Sequence, residues 1–255
     1  MVDKVISVYG YGRFGKLWAD ILAQNFRVKV FSRRGLTQKE VSPGIEIVNE
    51  KELFDCDALF FCVAISAYRE VLKKSIPYAK KNTVFFDTCS VKVFPASWMT
   101  ELLPAGCRII ATHPMFGPDS YLRADRGLPM VMCNITADPE TFDNWVNYFS
   151  SKSLQVEVMT VQMHDEMTAY SQGITHYVGR LLADLELAPT RTDTLGYEML
   201  LKVMGQTCND SWQLFLDLQS YNPYTQKMRE DLNKSIAKIN SALIENGNRQ
   251  ETGKE

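Results

Sequence analysis

The sequence lacks long hydrophobic runs, paired cysteines and an excess of charge of either sign. No apolar run approaches the ~20 residues that a transmembrane helix needs, so we expect no membrane association. The formal net charge is −2 over 255 residues. This balance excludes the broad basic field of a typical nucleic-acid-binding protein, and we expect no nucleic-acid partner. The length suits one large domain or two modest ones.

The six cysteines match the spacing of neither a metal site nor a disulfide framework. Several lie inside apolar runs, which favours reduced thiols and a cytoplasmic location. The first predicted strand begins within five residues of Met1, so we also expect no signal peptide. The sequence therefore predicts a cytoplasmic protein without a bound metal.

A glycine turn between a strand and a helix is the strongest signal that is present. Val5–Tyr9 is rich in β-branched and aromatic residues and predicts a buried strand. The turn that follows reads Gly10-Tyr11-Gly12-Arg13-Phe14-Gly15. Strand, G-x-G-x-x-G and helix together form a dinucleotide fingerprint. Gly10 permits the tight turn, Gly12 lets backbone approach a pyrophosphate, and Gly15 lets helix and strand pack closely. We therefore predict cofactor binding by all six residues, with the phosphates at the helix N-terminus.

The end of the second strand indicates which dinucleotide is bound. An NAD enzyme usually carries an acidic residue here to hold the ribose 2′-hydroxyl. In this chain the strand Arg27–Phe31 is followed by Ser32, Arg33 and Arg34. Arginine supplies the cationic, forked donors that a 2′-phosphate needs. We therefore predict NADP, with NAD as the less favoured cofactor; a solvated turn is the structural alternative.

Two polar loops follow later strands, at residues 87–92 and 112–118. Both come after the carboxyl ends of strands, where open α/β sheets bind ligands. We add Val63 and Ala64, at the end of the apolar strand predicted from residue 58, to the cofactor site. After about residue 160 the strand signal disappears. The prediction is an α/β fold: an N-terminal Rossmann-type, doubly wound, mostly parallel sheet in residues 1–159, followed by an all-α C-terminal domain in residues 160–255.

The helix predicted over residues 161–187 has two different faces. Its apolar stripe consists of Met167, Tyr170, Ile174, Val178, Leu181 and Leu185. The opposite stripe consists of Asp165, Ala169, Gln172, His176 and Arg180. Such a polar stripe can simply be solvated. Because His176 and Arg180 lie one turn apart on it, we predict that it lines a substrate cleft.

The last predicted helix, residues 226–246, carries a narrow apolar stripe. It consists of Met228, Leu232, Ile236, Ile239 and Leu243. This pattern suits helix–helix packing within a chain or between chains. A domain of fewer than about 100 residues gains little from its own core. We therefore expect a homodimer through the helical half.

Taken together, these motifs resemble the prephenate/arogenate dehydrogenase family over nearly the whole chain. The resemblance rests on Gly10-x-Gly12-x-x-Gly15, Asp87 to Lys92, His113 to Ser120, His164-Asp165, Ser171 to His176 and Gly196 to Glu198. The glycine motif is shared by many dehydrogenases, whereas the serine and histidine loops are far more specific. The helical part looks most like plant-type arogenate enzymes, including Asn209-Asp210-Ser211 and Tyr221-Asn222.

The resemblance implies an oxidative decarboxylation in tyrosine biosynthesis. Prephenate would give 4-hydroxyphenylpyruvate, and arogenate would give tyrosine. His113 matches the catalytic histidine of the family, Ser90 a serine near that histidine and the substrate hydroxyl, and His176 a substrate-contacting histidine. A neutral imidazole suits proton acceptance at neutral pH.

Each of these residues also has an ordinary structural interpretation. His113 can cap a loop, Ser90 can be a turn residue, and His176 can be packed in a helix. We interpret His164-Asp165 as a helix start, because Asp favours the first turn. Cys89 lies beside Ser90, but nothing in the sequence marks it as an activated nucleophile.

One departure from the family concerns the substrate carboxylate. Many bacterial members carry an arginine in an Arg-Asp-x-Thr-Arg segment, and residues 199–207 contain none here. The candidates are Arg180, which ranks first, and Lys202, Arg123 and Arg126. Two other functions therefore stay open. One is a catalytically silent NADP-binding sensor; the other is a two-domain β-hydroxyacid dehydrogenase or imine reductase, which leaves His113-Pro114-Met115 unexplained.

Overall fold

The computed structural model describes residues 4–122 and 127–252, with side chains as far as Gly247. Its contacts divide the chain into two compact units, one ending at Asp165 and the other starting at Glu166. Arg123 and Arg126, two of the candidates for carboxylate binding, lie outside the described residues.

The first unit is a sheet with helices in its connections. The strands are β1 (Val5–Tyr9), β2 (Arg27–Phe31), β3 (Ile45–Ile47), β4 (Ala58–Phe61), β5 (Val84–Asp87), β6 (Arg108–Pro114), β7 (Leu128–Asn134) and β8 (Leu154–Val158). The helices are α1 (Arg13–Ala23), α2 (Glu50–Leu53), α3 (Ile65–Ser75), α4 (Val93–Leu102), α5 (Pro118–Tyr121), α6 (Pro139–Ser150) and α7 (Val161–Thr168). Short 3₁₀ turns occupy Gln38–Glu40 and Ile76–Tyr78. Helix α7 continues past Asp165 into the second unit.

The eight strands form one sheet in the order β3-β2-β1-β4-β5-β6-β7-β8. All neighbouring pairs are parallel except β6 and β7, which are antiparallel. The order reverses between β1 and β4, the switch point at which doubly wound sheets bind ligands. The predicted Rossmann-type, mostly parallel sheet is therefore confirmed.

Aromatic rings fill the core on one side of this sheet. Phe60 of β4 and Phe86 of β5 stack with their ring centroids 4.2 Å apart. Trp145 of α6 lies 4.9 Å from Phe86, and Trp18 of α1 lies 5.7 Å from Phe60. Each such pair contributes about 0.5–1.5 kcal/mol beyond the burial of its area. On the other side Phe61 contacts Tyr68 of α3 at 5.3 Å. Because β4 is covered on both faces, its sequence is a continuous apolar run.

Among its described residues, the second unit consists of helices joined by turns and loops and has no strand. It contains the rest of α7, a π-helical turn (Ala169–Gly173), α8 (Ile174–Asp184), α9 (Leu195–Cys208), α10 (Trp212–Tyr221) and α11 (Thr225–Thr252). The all-α C-terminal region is therefore confirmed. Nowhere in residues 4–122 and 127–252 does a helix combine the length and apolar character that crossing a bilayer requires.

The two faces predicted for the helix at residues 161–187 exist, but their burial is the reverse of what an apolar stripe usually indicates. Met167 and Leu185 of the apolar stripe are 58% and 67% exposed, whereas His176 of the polar stripe is buried. The reason is the small residues that share the polar side. A Cβ on Gly179 would lie 2.0 Å from Oγ1 of Thr207 in α9, so only glycine allows α8 and α9 to approach this closely.

We expect Gly179→Ala to destabilise the protein by about 1–3 kcal/mol, because the added methyl group overpacks the α8–α9 contact. Gly205→Ala is the matched control in α9, where a Cβ would meet nothing within 4 Å. That change should leave stability equal or raise it by about 0.5–1 kcal/mol, since alanine favours a helix interior. Urea unfolding midpoints measure both, and equal stability of Gly179→Ala and wild type would contradict the packing argument.

Candidate active site

The three glycines of the turn after β1 differ in the space around them. Gly10 has φ +101°, and a Cβ on it would lie 2.3 Å from the carbonyl oxygen of Cys62. A Cβ on Gly15 would lie 2.1 Å from the carbonyl oxygen of Gly10. Around Gly12, in contrast, nothing lies within 4 Å of a Cβ position. Gly10 and Gly15 therefore serve close packing, and Gly12 keeps space open at the N-terminus of α1.

The other predicted residues of the turn have separate surroundings. Tyr11 is buried, and its hydroxyl has no hydrogen-bond partner among the described residues. Phe14 stacks on Trp18 with centroids 5.6 Å apart. NH2 of Arg13 donates to both carboxylate oxygens of Asp119, at 3.1 and 3.0 Å, an exposed pair that links the turn to α5.

Val63 lies beside this turn, and Ala64 follows it at the start of α3. Cγ1 of Val63 is 3.0 Å from the Cβ position of Gly10, and Ala64 is the N-cap residue of α3. The residues after β4 therefore reach the glycine turn, and the role of Val63 and Ala64 in cofactor binding stays a prediction.

The two arginines after β2 differ in their partners. NH1 of Arg34 donates to Oε1 of Glu40 at 2.6 Å, and the N–H of Thr37 donates to Oε2 of Glu40 at 2.8 Å. These bonds lower the pKa of Glu40 to about 2. Arg33 is exposed and forms no ion pair within the described part of the chain, and Ser32 is partly exposed. Arg33 is therefore the guanidinium of this turn that is open to a ligand.

His113 lies near the end of β6, buried at 3% exposure. Its Nδ1 is 2.8 Å from Nε2 of His164 in α7. Burial, then His164 and the Lys92 ammonium, hold the pKa of His113 well below the usual histidine value. Burial also lowers the pKa of His164, although Asp165 opposes the shift. Both imidazoles are therefore neutral at neutral pH.

Asp165 connects this histidine pair to α4. Its Oδ1 lies 2.7 Å from Nδ1 of His164 and accepts the N–H of Lys92 at 2.7 Å. Its Oδ2 accepts the N–H of Val93 at 2.9 Å. The carboxylate thus receives the first free amides of α4, where the helix dipole favours negative charge.

A fully buried ion pair lies beneath the site. The Lys92 ammonium donates to the Asp87 carboxylate and to the carbonyl oxygen of Thr112. The same carboxylate accepts the N–H groups of Cys89 at 3.1 Å and Thr112 at 3.0 Å. These bonds fix the loop that carries Ser90 against the strand that carries His113. Ser90 itself is partly exposed, and among the described residues it makes no hydrogen bond to His113.

Cys89 shows no sign of nucleophilic activation. Burial and the neighbouring Asp87 raise the pKa of its thiol well above the usual value. A buried thiol of high pKa is a structural cysteine. Nor does any group of three His, Cys, Asp or Glu side chains with metal-binding geometry occur in residues 4–122 and 127–252.

The predicted substrate residues of the helical unit lie along one side of the helix. His176 is buried, and its Nε2 lies 4.0 Å from Oδ2 of Asp210. Burial lowers the pKa of His176. NH2 of Arg180 donates to the carbonyl oxygens of Thr207 at 3.3 Å and Asp210 at 2.6 Å.

Three buried polar atoms in this row lack a hydrogen-bond partner among the described residues. They are Oε1 of Gln172, Nδ1 of His176 and Nε of Arg180. A buried polar atom without a hydrogen bond raises the free energy of the folded state, and a bound ligand is one way in which such an atom is satisfied. The guanidinium of Arg180 is largely engaged by helix-end carbonyls and by the ring of Trp212, at 5.3 Å. Its binding of a substrate carboxylate stays a prediction, as does that of the exposed Lys202.

Comparisons with known proteins identify the family. Residues 26–141 match the family model described as prephenate dehydrogenase, nucleotide-binding domain. Residues 181–255 match the model described as TYRAAT1-like, C-terminal domain. Arogenate dehydrogenase 2, chloroplastic, of Arabidopsis thaliana is 30% identical over 94% of this chain and 70% of its own length. The chain belongs to the arogenate/prephenate dehydrogenase family.

Other members are related over different shares of their length. Arogenate dehydrogenase 1, chloroplastic, of Arabidopsis thaliana is 31% identical over 94% of this chain, and the chain spans only 39% of that relative. The Saccharomyces cerevisiae protein named prephenate dehydrogenase [NADP(+)] is 25% identical over 95% of this chain and 57% of its own length.

Solved structures of this family share the fold. Prephenate dehydrogenase from A. aeolicus, in complex with hydroxyphenyl propionate and NAD+, has a TM-score of 0.73 at 14% identity, covering 97% of this chain and 93% of that one. Synechocystis arogenate dehydrogenase has a TM-score of 0.67 at 20% identity, covering 97% and 99%. The resemblance seen in the motifs is therefore confirmed, and residues 26–141 form part of a nucleotide-binding domain.

For this family member, sequence reasoning missed the surroundings of His113. We interpreted His164 and Asp165 only as a helix start, whereas their side chains face His113 and α4. The sequence signal for these contacts was the pair His164-Asp165 itself, a histidine followed by an acidic residue, which is one of the motifs that this chain shares with the family. No role was assigned to Asp87 or Lys92, although two opposite charges beside an apolar strand indicate a buried pair.

Proposed function

We propose that this chain catalyses the oxidative decarboxylation of arogenate or prephenate in tyrosine biosynthesis, with NADP as the hydride acceptor. The observation that carries the proposal is the buried, neutral His113, on the same sheet as the dinucleotide turn. Arogenate is the first substrate to test, because the two Arabidopsis relatives are named for it. Residues 1–159 would hold the cofactor, and residues 160–255 would bind substrate and dimerise.

The residues of the first unit fit a nicotinamide dinucleotide. The open space at Gly12 and the uncapped N-terminus of α1 suit a pyrophosphate, since no side chain in the described part of the chain caps those amides. When bound there, the cofactor supplies the hydride acceptor. Arg33 would hold the 2′-phosphate, and Val63 and Ala64 would border the cofactor at the switch point of the sheet.

His113 would act on the substrate hydroxyl. As hydride leaves the carbon that bears this hydroxyl, Nε2 of His113 takes the hydroxyl proton. The bond from the ring to its carboxylate then breaks, carbon dioxide departs, the electron pair completes the aromatic ring, and the phenolate oxygen takes the proton back from Nε2 of His113. Ser90, on the loop held by Lys92 and Asp87, would orient the hydroxyl with a hydrogen bond.

The helical unit would hold the rest of the substrate. The unpaired polar atoms of Gln172, His176 and Arg180 support this role, because a polar ligand would satisfy them. The substrates carry carboxylate groups, which suits the donors of His176 and Arg180.

We expect His113→Asn to lower kcat by about 10²–10⁴-fold, the usual range for a positioned acid–base group. NADP affinity should survive, because the glycine turn and Arg33 lie on other loops. In wild type, kcat/KM should fall on acidification as the imidazole takes up a proton. Since the pKa of His113 is lowered, this loss should occur below the usual histidine range, and it should vanish in the variant.

Steady-state kinetics with arogenate and prephenate, each with NADP and NAD, measure these effects. Turnover of His113→Asn at the wild-type rate would disprove the mechanism. Binding of NADP without turnover of either substrate would favour the catalytically silent sensor. Membership of the family makes a β-hydroxyacid or imine dehydrogenase the weaker alternative.

We expect Arg33→Ala to weaken NADP binding by about ten- to a hundredfold, because one charge-assisted phosphate contact contributes about 1.5–3 kcal/mol. NAD binding should change little. Arg27→Ala is the matched control, since it removes the same charge from the opposite end of β2. Cofactor titrations by fluorescence measure both affinities, and equal losses for NADP and NAD would refute the NADP assignment.

We also expect a homodimer through the helical half. In the apolar stripe of α11, Met228 is buried within the chain, while Ile239 and Leu243 are 60% and 64% exposed. Ile239→Glu should therefore give monomers, whereas Lys238→Glu, about 100° around α11 from Ile239 and outside the apolar stripe, should not. Light scattering at micromolar concentration measures this, and a monomeric wild type would refute the proposal.

The compartment belongs to the same proposal. We propose that the protein is located in the cytoplasm, because all six cysteines are free thiols. The Arabidopsis relatives are named chloroplastic, so fractionation of the source cells decides between the two compartments.

A further inference from the structure

The hydrogen bonds around His113 determine which of its ring nitrogens carries the proton. A neutral imidazole has one N–H donor and one acceptor nitrogen, and its partners select the tautomer. His113, His164 and Asp165 form a continuous hydrogen-bonded row within the first unit. The protons on the two imidazole rings can therefore be assigned in order, starting from the end of the row at which donor and acceptor are known.

That end is the Asp165 carboxylate. It accepts two backbone N–H groups, from Lys92 and Val93, and backbone amides can only donate. Its oxygens are therefore acceptors, and Nδ1 of His164, 2.7 Å from Oδ1, must carry the proton. Nε2 of His164 then carries a lone pair and accepts a hydrogen bond from the next ring.

The next ring is His113, whose Nδ1 lies 2.8 Å from Nε2 of His164. We propose that His164 and Asp165 are positioning residues which hold His113 in the Nδ1–H tautomer, so that Nε2 presents its lone pair to the substrate hydroxyl. The opposite tautomer would place two lone pairs against each other across 2.8 Å. It would also turn the proton acceptor into a donor.

The proposal rests on the function proposed above, and it adds roles for residues that do not touch the substrate. Asp165 acts through His164, and α4 acts through Asp165, because its first two amides hold the carboxylate in place. Both imidazoles are buried and neutral, as the tautomer argument requires.

The first test reads the tautomer directly. The chain has only three histidines, so ¹⁵N-histidine NMR of the protein without substrate gives few signals, and single substitutions assign them. We expect the protonated nitrogen of His113 to be Nδ1 and the unprotonated one to be Nε2. A proton on Nε2 of His113 in wild type would overturn the proposal.

The second test compares two replacements of His164. Glutamine offers a carbonyl that accepts from His113 and an amide that donates to Asp165, whereas leucine offers neither. His164→Gln should keep the Nδ1–H signal of His113 and most of the activity. His164→Leu should lose that signal and lower kcat at least about tenfold, with KM and NADP affinity near wild type. Equal kcat values for the two variants would contradict the positioning role.

Asp165→Asn and Glu166→Gln form a matched pair, since each removes one carboxylate from adjacent positions and Glu166 is exposed. Only Asp165→Asn should change the histidine spectrum and kcat, and a spectrum unchanged in Asp165→Asn would count against its role.

The tautomer inference and the proposed function can be disproved separately. Active wild type with a proton on Nε2 of His113 overturns this inference alone, whereas the expected tautomer without turnover of either substrate overturns the proposed function alone.

Discussion

The buried ion pair between Lys92 and Asp87 is the interaction on which the rest of the site depends. Both side chains are fully buried, so removing either partner would leave an uncompensated charge at a cost of about 3–5 kcal/mol. Asp87 also accepts the N–H of Thr112, the residue before His113, and the N–H of Lys92 donates to Asp165. Through His164 these bonds close a ring that returns to His113. The ring holds the ends of β5, β6 and α4 in one arrangement.

The same ring sets the electrostatics of His113. Burial lowers the pKa of His113 most, and the neighbouring His164 and the Lys92 ammonium lower it further. The histidine therefore stays neutral at neutral pH. In the helical unit, Oε1 of Gln172, Nδ1 of His176 and Nε of Arg180 are buried without a hydrogen-bond partner among the described residues, while several apolar side chains are exposed. Both features suit a unit that is completed by other molecules, a polar ligand on one side and an apolar surface on the other.

Much of the fold and part of the site could be predicted from the sequence. The strand–turn–helix around Gly10, the central strand β4 and a buried strand leading to His113 follow from local patterns, although β6 continues through His113 to Pro114. The partners of His113 could not be predicted, because His164 lies 51 positions away and its contact with β6 has no local pattern. The sequence also could not predict which face of the helix at residues 161–187 is buried. Periodicity separates the two faces, but the close approach at Gly179 decides which one packs.

The sequence by itself determined the strand–turn–helix that opens the nucleotide-binding half, its glycine turn and the family to which the chain belongs. These depend on short segments in which each residue meets neighbours a few positions away, so composition and spacing suffice. Tertiary structure decided what His113 bonds to, which of the arginines after β2 is open to a ligand, and which helix face is buried. Each of these depends on atoms from distant segments meeting within about 3 Å, the range of a hydrogen bond, and no local pattern encodes such a meeting.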